Sequence, residues 1–117
     1  MSKKSSDNYI EASDSHVVYV TVPNELEAKS LAKGAIEEKL AACVNIVPGI
    51  TSVYLWEGKV CEDGELLLII KTCSSKIEAL HAFIREKHSY DTPEFITLPV
   101  MAGSAAYLHW MKQSLRE

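Results

Sequence analysis

Residues 43–72, CVNIVPGITSVYLWEGKVCEDGELLLIIKT, carry the architecture of this chain. The run from Cys43 to Val47 is β-branched and apolar, Pro48-Gly49 bends it, and extended patterning resumes from Ile50 to Trp56, so it reads as one long kinked strand. Beyond the bend Ser52, Tyr54 and Trp56 fall on one face and Thr51, Val53 and Leu55 on the other. Both faces carry large apolar groups, and each needs a cover. Leu66 to Thr72 forms a second, buried strand. Two tips could join the strands, Glu57-Gly58 and Asp63-Gly64, and turn chemistry alone favours the second, because Asp-Gly suits a type I′ turn.

On either side of this hairpin lies a strand–helix pair. Val17 to Val22 are all β-branched or aromatic, which describes a central strand covered on both faces. Pro23 ends it, and Asn24 with Glu27 has the spacing of a capped helix start. Ala28, Leu31, Ala32, Ala35, Ile36 and Leu40 then recur at helical spacing. After the hairpin, Ser75 with Glu78 repeats the capping spacing ahead of Ile77, Leu80 and Ile84, and this helix ends near His88. Asp91-Thr92-Pro93 releases a short strand, Phe95 to Leu98, and Gly103-Ser104 opens a last segment in which Leu108, Met111 and Leu115 share a face.

The order β-α-β-β-α-β with an extra C-terminal helix is the ferredoxin-like split β-α-β arrangement, an α+β fold with a four-stranded antiparallel sheet and both helices on one face. Residues 1–15, rich in Ser, Asp and Lys, read as a disordered N-terminal tail, and residues 16–117 as a single domain. Two helices leave the second sheet face open although its strands are apolar on both sides. An obligate oligomer is therefore expected.

Twelve Lys plus Arg against sixteen Asp plus Glu give a net charge of −4, which lacks the basic footprint of a nucleic-acid binder. The apolar fraction of 47% argues for a folded chain. No apolar run exceeds five residues, short of a membrane span or a signal-peptide core, so the expectation is a protein neither inserted nor exported. Cys43, Cys61 and Cys73 are odd in number and form no C-x-x-C pair, against a disulfide framework or a structural zinc site. A cytoplasmic setting follows.

No nucleophile elbow, phosphate loop or zinc-protease motif occurs, and the chain reads as a non-enzyme. Thiolate and imidazole are the usual ligands of copper and zinc, which singles out Cys43 at the helix-to-strand junction and His88 after the second long helix. Tyr90 and Glu94 share the loop of His88. Lys71 follows five apolar residues in a strand, where it must reach solvent or meet an acid. Trp56 and Trp110 are the largest anchors, read first as interface or core.

The blocks Thr21-Val22-Pro23-Asn24-Glu25, Lys39 to Asn45, Ile46 to Lys59, Ile70-Lys71-Thr72, His88 to Glu94, Leu98-Pro99-Val100 and Tyr107-Leu108-His109-Trp110 resemble, in this order, the CutA family of divalent-cation tolerance proteins. The resemblance implies a homotrimer similar to the PII-type signalling proteins, with Glu57-Gly58 as the hairpin tip and Asp63-Gly64 as a kink in the returning strand. It implies a role in tolerance of copper and other divalent metals, with metal or a small ligand held in inter-subunit clefts lined by Cys43, Tyr54, Trp56, Lys71, His88, Tyr90, Glu94 and Trp110. Animal members are associated with acetylcholinesterase anchoring, which makes a signalling or scaffold trimer the alternative. Copper-binding bacterial members carry cysteine and histidine where this chain has Val20 and Lys87, leaving Cys43 and His88 as the metal ligands. An anionic ligand would instead take positive charge from Lys71 and His88, with Glu94 orienting them.

Overall fold

The structure is a computed structural model that describes residues 6–116. Its elements are β1 (Tyr9–Glu11), β2 (Ser15–Val22), α1 (Glu25–Glu37), β3 (Cys43–Trp56), β4 (Lys59–Cys73), α2 (Ile77–Lys87), β5 (Ile96–Pro99), β6 (Ala102–Ser104) and α3 (Ala105–Ser114). The main sheet is antiparallel in the order β3-β4-β2-β5. This is the α+β, split β-α-β architecture expected from the sequence, with the C-terminal helix added.

Alternation along the strands builds the core. Val18, Val20 and Val22 of β2 and Leu68 and Ile70 of β4 point to one side. There they meet Ala28, Leu31 and Ala35 of α1 and Leu80, Phe83 and Ile84 of α2. Asn24 caps α1 as its spacing predicts, its side chain accepting from the Glu27 N–H at 2.8 Å. The expected cap at Ser75 does not form: a 3-10 turn, Ser74–Lys76, precedes α2, and no side chain caps that helix. The two helices meet at Gly34, where a Cβ would lie 2.7 Å from the Phe83 ring. Gly34→Ala should therefore cost about 1–3 kcal/mol through displacement of that ring, read as a shift of the urea unfolding midpoint.

The opposite sheet face is largely apolar and only partly covered, α3 reaching the Cys43 end while the β5 edge stays open. Ile96, Tyr19 and Ile69 form one cross-strand row, and Leu98, Val17 and Lys71 the next. Ile96 and Leu98 are exposed, while Tyr19 and Ile69 are half-buried.

The hairpin turns at Glu57-Gly58, whose φ values of 49° and 79° are both left-handed. Positive φ at both central residues is the geometry of a type I′ turn. Asp63 and Gly64 instead lie within the ladder, opposite Ser52 and Thr51, so they form neither the tip nor the kink. The register shift falls on the outgoing strand, between Val47 and Ile50, where Gly49 takes a φ of 73° that a side chain would oppose. The distal hairpin leaves the globule as an arm that exposes Val53, Leu55, Trp56 and Val60.

The tail expected over residues 1–15 differs where it is described. Tyr9–Glu11 pair with Ala102–Ser104, Ala12 N–H bonds the Met101 carbonyl at 2.9 Å, and Ser15 already opens β2. Asp7 takes the start of α3: it accepts from the Ala106 N–H at 2.9 Å and from the Ser104 hydroxyl. These bonds hold its carboxyl below the usual range, the Ser104 hydroxyl contributing most. The segment is fixed by backbone pairing and capping, which a count of its apolar residues does not reveal. Residues 1–5 lie outside the described residues.

Candidate functional site

His88 follows the last turn of α2, its N–H bonded to the Ile84 carbonyl, and its side chain is fully buried. Nε2 lies 2.8 Å from the Thr21 carbonyl oxygen, which can only accept. Nδ1 lies 3.0 Å from the Tyr90 N–H, which can only donate. The ring is thus the Nε2–H tautomer, with both nitrogens committed. Glu27 stands 3.3 Å from Nδ1 and accepts from the Ser89 N–H at 3.1 Å. His88 and Glu27 together pin the loop after α2 to the end of β2 and the start of α1.

That loop forms one wall of a groove of about 720 Å³. Tyr90, Asp91, Thr92 and Glu94 line it from the loop. Thr21 contributes from β2, and Ser52, Val53, Tyr54, Trp56, Asp63 and Glu65 from the hairpin. None of these residues is basic. The Tyr90 hydroxyl donates to Glu65 at 2.9 Å, and the Tyr54 hydroxyl donates to Asp63. The acidic surroundings bear on the protonation of the groups they face. Partial burial, then the Glu65 charge, pushes the Glu94 carboxyl up. Burial and the bond to Glu65 push the Tyr90 phenol up to about 12. The bond to Asp63 does the same for Tyr54.

A raised phenol pKa favours the neutral form in the fold, so this stabilisation is complete below the ordinary tyrosine value near 10 and is lost as pH rises towards 12. Tyr90→Phe should accordingly flatten the fall in melting temperature over that alkaline interval. Thermal melts across it provide the check.

The eight residues expected to share one cleft divide into two groups. Tyr54, Trp56, Tyr90 and Glu94 line the groove, with His88 behind it. Cys43, Lys71 and Trp110 lie elsewhere. Cys43 pairs with Lys71 in the ladder and stands beside Tyr107, whose phenol it helps burial to push up, and the Tyr107 ring sits 5.4 Å from Trp110. Lys71 donates to Asn45. The Cys43–Lys71–Val17 row and the row containing Thr21, to which His88 bonds, are four residues apart on β2, about 13 Å at strand rise.

The cleft that the resemblance implies lies between subunits; within this chain its metal and anion sets stand apart. Cys43 and His88 do not converge on a copper ion within one subunit, and His88 has no lone pair left to offer. Among the described residues no group of three or more His, Cys, Asp and Glu side chains is arranged to hold a metal ion. Likewise, within this chain Glu94 lines the groove while Lys71 and His88 do not.

The groove also uses residues that pattern reading passed over. Asp63 and Glu65 belong to an acidic run that reads as an exposed hairpin tip, yet Glu65 is only 8% exposed. The signal was the tip itself: a turn at Glu57-Gly58 carries Asp63 and Glu65 into the returning strand beside Tyr54.

A family model, the CutA1 divalent ion tolerance protein, matches residues 16–114. The chain is 59% identical over 101 residues to the chloroplastic protein CutA 1 of Oryza sativa subsp. japonica, covering 86% of this chain and 57% of that protein. It thus spans little more than half the length of that plant relative. It is 47% identical over 98 residues to the divalent-cation tolerance protein CutA of Thermus thermophilus, covering 84% of this chain and 95% of the relative. The solved structure of CutA from Synechococcus elongatus PCC7942 complexed with a Bis-Tris molecule superposes with a TM-score of 0.85 at 36% identity, over 92% of this chain and 99% of that one. Fold, family model and full-length bacterial relative agree, and the chain belongs to the CutA1 divalent ion tolerance family.

Proposed function

We propose that this chain acts in divalent-cation tolerance as a non-catalytic homotrimer whose groove binds a cation. One observation carries the reading: Asp63, Glu65, Asp91 and Glu94 surround a groove that no basic side chain lines. Carboxylates at such spacing concentrate positive charge and repel anions. The open apolar part of the sheet face and the projecting arm support self-assembly, because a monomer seldom exposes so much contiguous apolar surface. Assembly would bring further walls to each groove.

Cys43 and His88 stand apart within this chain and both nitrogens of His88 are bonded, so the reading assigns the cation to the carboxylates. Calorimetric titration of the reduced protein with Zn(II), Mn(II) and Cu(II), alongside light scattering, tests it. Binding in the groove should weaken about tenfold in Asp63→Asn and stay unchanged in Cys43→Ser. The reverse pattern, or a groove that takes no cation of any kind, would overturn the assignment.

A further inference from the structure

We infer that Glu27, which stands on α1 outside the groove, is a positioning residue for it: its carboxylate holds the wall that carries Asp91 and Glu94 in place opposite Asp63 and Glu65. The inference deepens the cation-binding reading and rests on it. Two of the four groove carboxylates lie on the loop between α2 and β5, and two on β4. The pull of such a set on a cation depends on how far apart its members stand. That separation is set by whatever fixes the loop to its neighbours.

Residues 88–95 of this loop form no helix or strand. The main-chain donors of Ser89 and Tyr90 both go to side chains: the Ser89 N–H to Glu27 Oε2 at 3.1 Å and the Tyr90 N–H to His88 Nδ1 at 3.0 Å. His88 ties the loop to β2 through the Thr21 carbonyl, and Glu27 ties it to α1 across 62 residues of chain. The Tyr90 hydroxyl, reaching Glu65 at 2.9 Å, closes the frame on the β4 side.

The α1 anchor is itself rigid. The Glu27 side chain is 16% exposed, and its main chain is held by the Asn24 cap at 2.8 Å. Three residues after such a cap, a glutamate characteristically reaches back to the N–H of the capping residue. Here Oε2 crosses to the loop instead, where it takes one main-chain donor and stands 3.3 Å from His88 Nδ1. A group that braces binding residues from behind is felt in affinity although it touches no ligand.

Calorimetry on the full chain with Mn(II) and Zn(II), together with amide hydrogen exchange followed by NMR, tests the inference. Glu27→Ala should weaken cation binding about tenfold, as loss of a supporting partner does at metal sites. It should also speed exchange of the Ser89 and Tyr90 amides about five- to tenfold. Glu27→Gln keeps an oxygen that accepts from Ser89 and should bring both quantities back to within about twofold of wild type. Both variants should keep the fold, verified by circular dichroism, because the Asn24 cap uses the main chain of residue 27. Equal weakening in the two variants with slow exchange would make Glu27 a remote charge and overturn the inference. Unchanged affinity and exchange in Glu27→Ala would overturn it too. A wild type that takes no cation, with the exchange pattern as expected, would overturn the cation-binding reading and leave the anchoring by Glu27 standing. No cation and no change in exchange would overturn both.

Discussion

Replacing His88 with alanine should lower the unfolding free energy by about 3–5 kcal/mol, a loss characteristic of a broken buried polar network. The ring satisfies the Thr21 carbonyl through Nε2 and the Tyr90 N–H through Nδ1, and it packs 4.7 Å from the Tyr90 ring. Alanine removes both hydrogen bonds at a side chain with no solvent access, so water replaces them only by opening the structure. The two halves are separable by design. His88→Asn keeps an acceptor near the Nδ1 position and should recover the Tyr90 contact. His88→Gln reaches towards the Nε2 position and should recover the Thr21 contact. Each should be intermediate in denaturant unfolding. A His88→Ala protein as stable as wild type would show that the network is dispensable.

The second large effect concerns assembly. Ile96→Asp places a charge on the open part of the sheet face, in the row with Tyr19 and Ile69. Burying that charge against another subunit without a partner is prohibitive, whereas a free subunit leaves it in water at little cost. The variant should therefore fall to single-subunit mass in light scattering at micromolar concentration, while the wild type stays oligomeric. Circular dichroism should report retained secondary structure. The core on the other face, built from Val18, Val20, Leu68, Leu80 and Ile84, is untouched by the change. A wild-type protein that is monomeric would remove the basis of this expectation.

The fold was legible because its cues were local and strong. The β-branched run at 17–22, the Asn24 cap and the two buried strands each repeat a period that admits one reading. The cues that failed were weak or shared. Asp63-Gly64 is better turn chemistry than Glu57-Gly58, but tertiary register overrode it, with the unpaired residue taken up at Pro48-Gly49. Ser75 offered a cap that the 3-10 turn made unnecessary. The N-terminal segment looked unstructured because its partner, Ala102–Ser104, lies at the far end of the chain.

At the site, the resemblance grouped Tyr54, Trp56, Tyr90 and Glu94 with Cys43, Lys71 and Trp110 in one inter-subunit cleft, and within this chain strand register sets the two groups apart. Nothing in linear order separates the rows of a sheet until strand register is fixed. Nor does a histidine in a loop disclose that both its nitrogens face main-chain groups. Chemistry-bearing residue types were visible; which of them meet depended on pairing.

The N-terminal clasp bears on how the molecule comes together in time. Asp7 bonds groups 97 and 99 residues away, so a segment made well before α3 completes the start of that helix. Closing so long a loop costs little more than closing one half as long, about 0.6 kcal/mol per doubling. Yet contacts of such separation form late. The β2–β4 ladder and the helices packed on it need nothing from this clasp, and they can settle while the last helix is still being made. The clasp then closes in a final step, and a chain lacking the residues through Glu11 would fold its sheet at the usual rate while leaving α3 to fray.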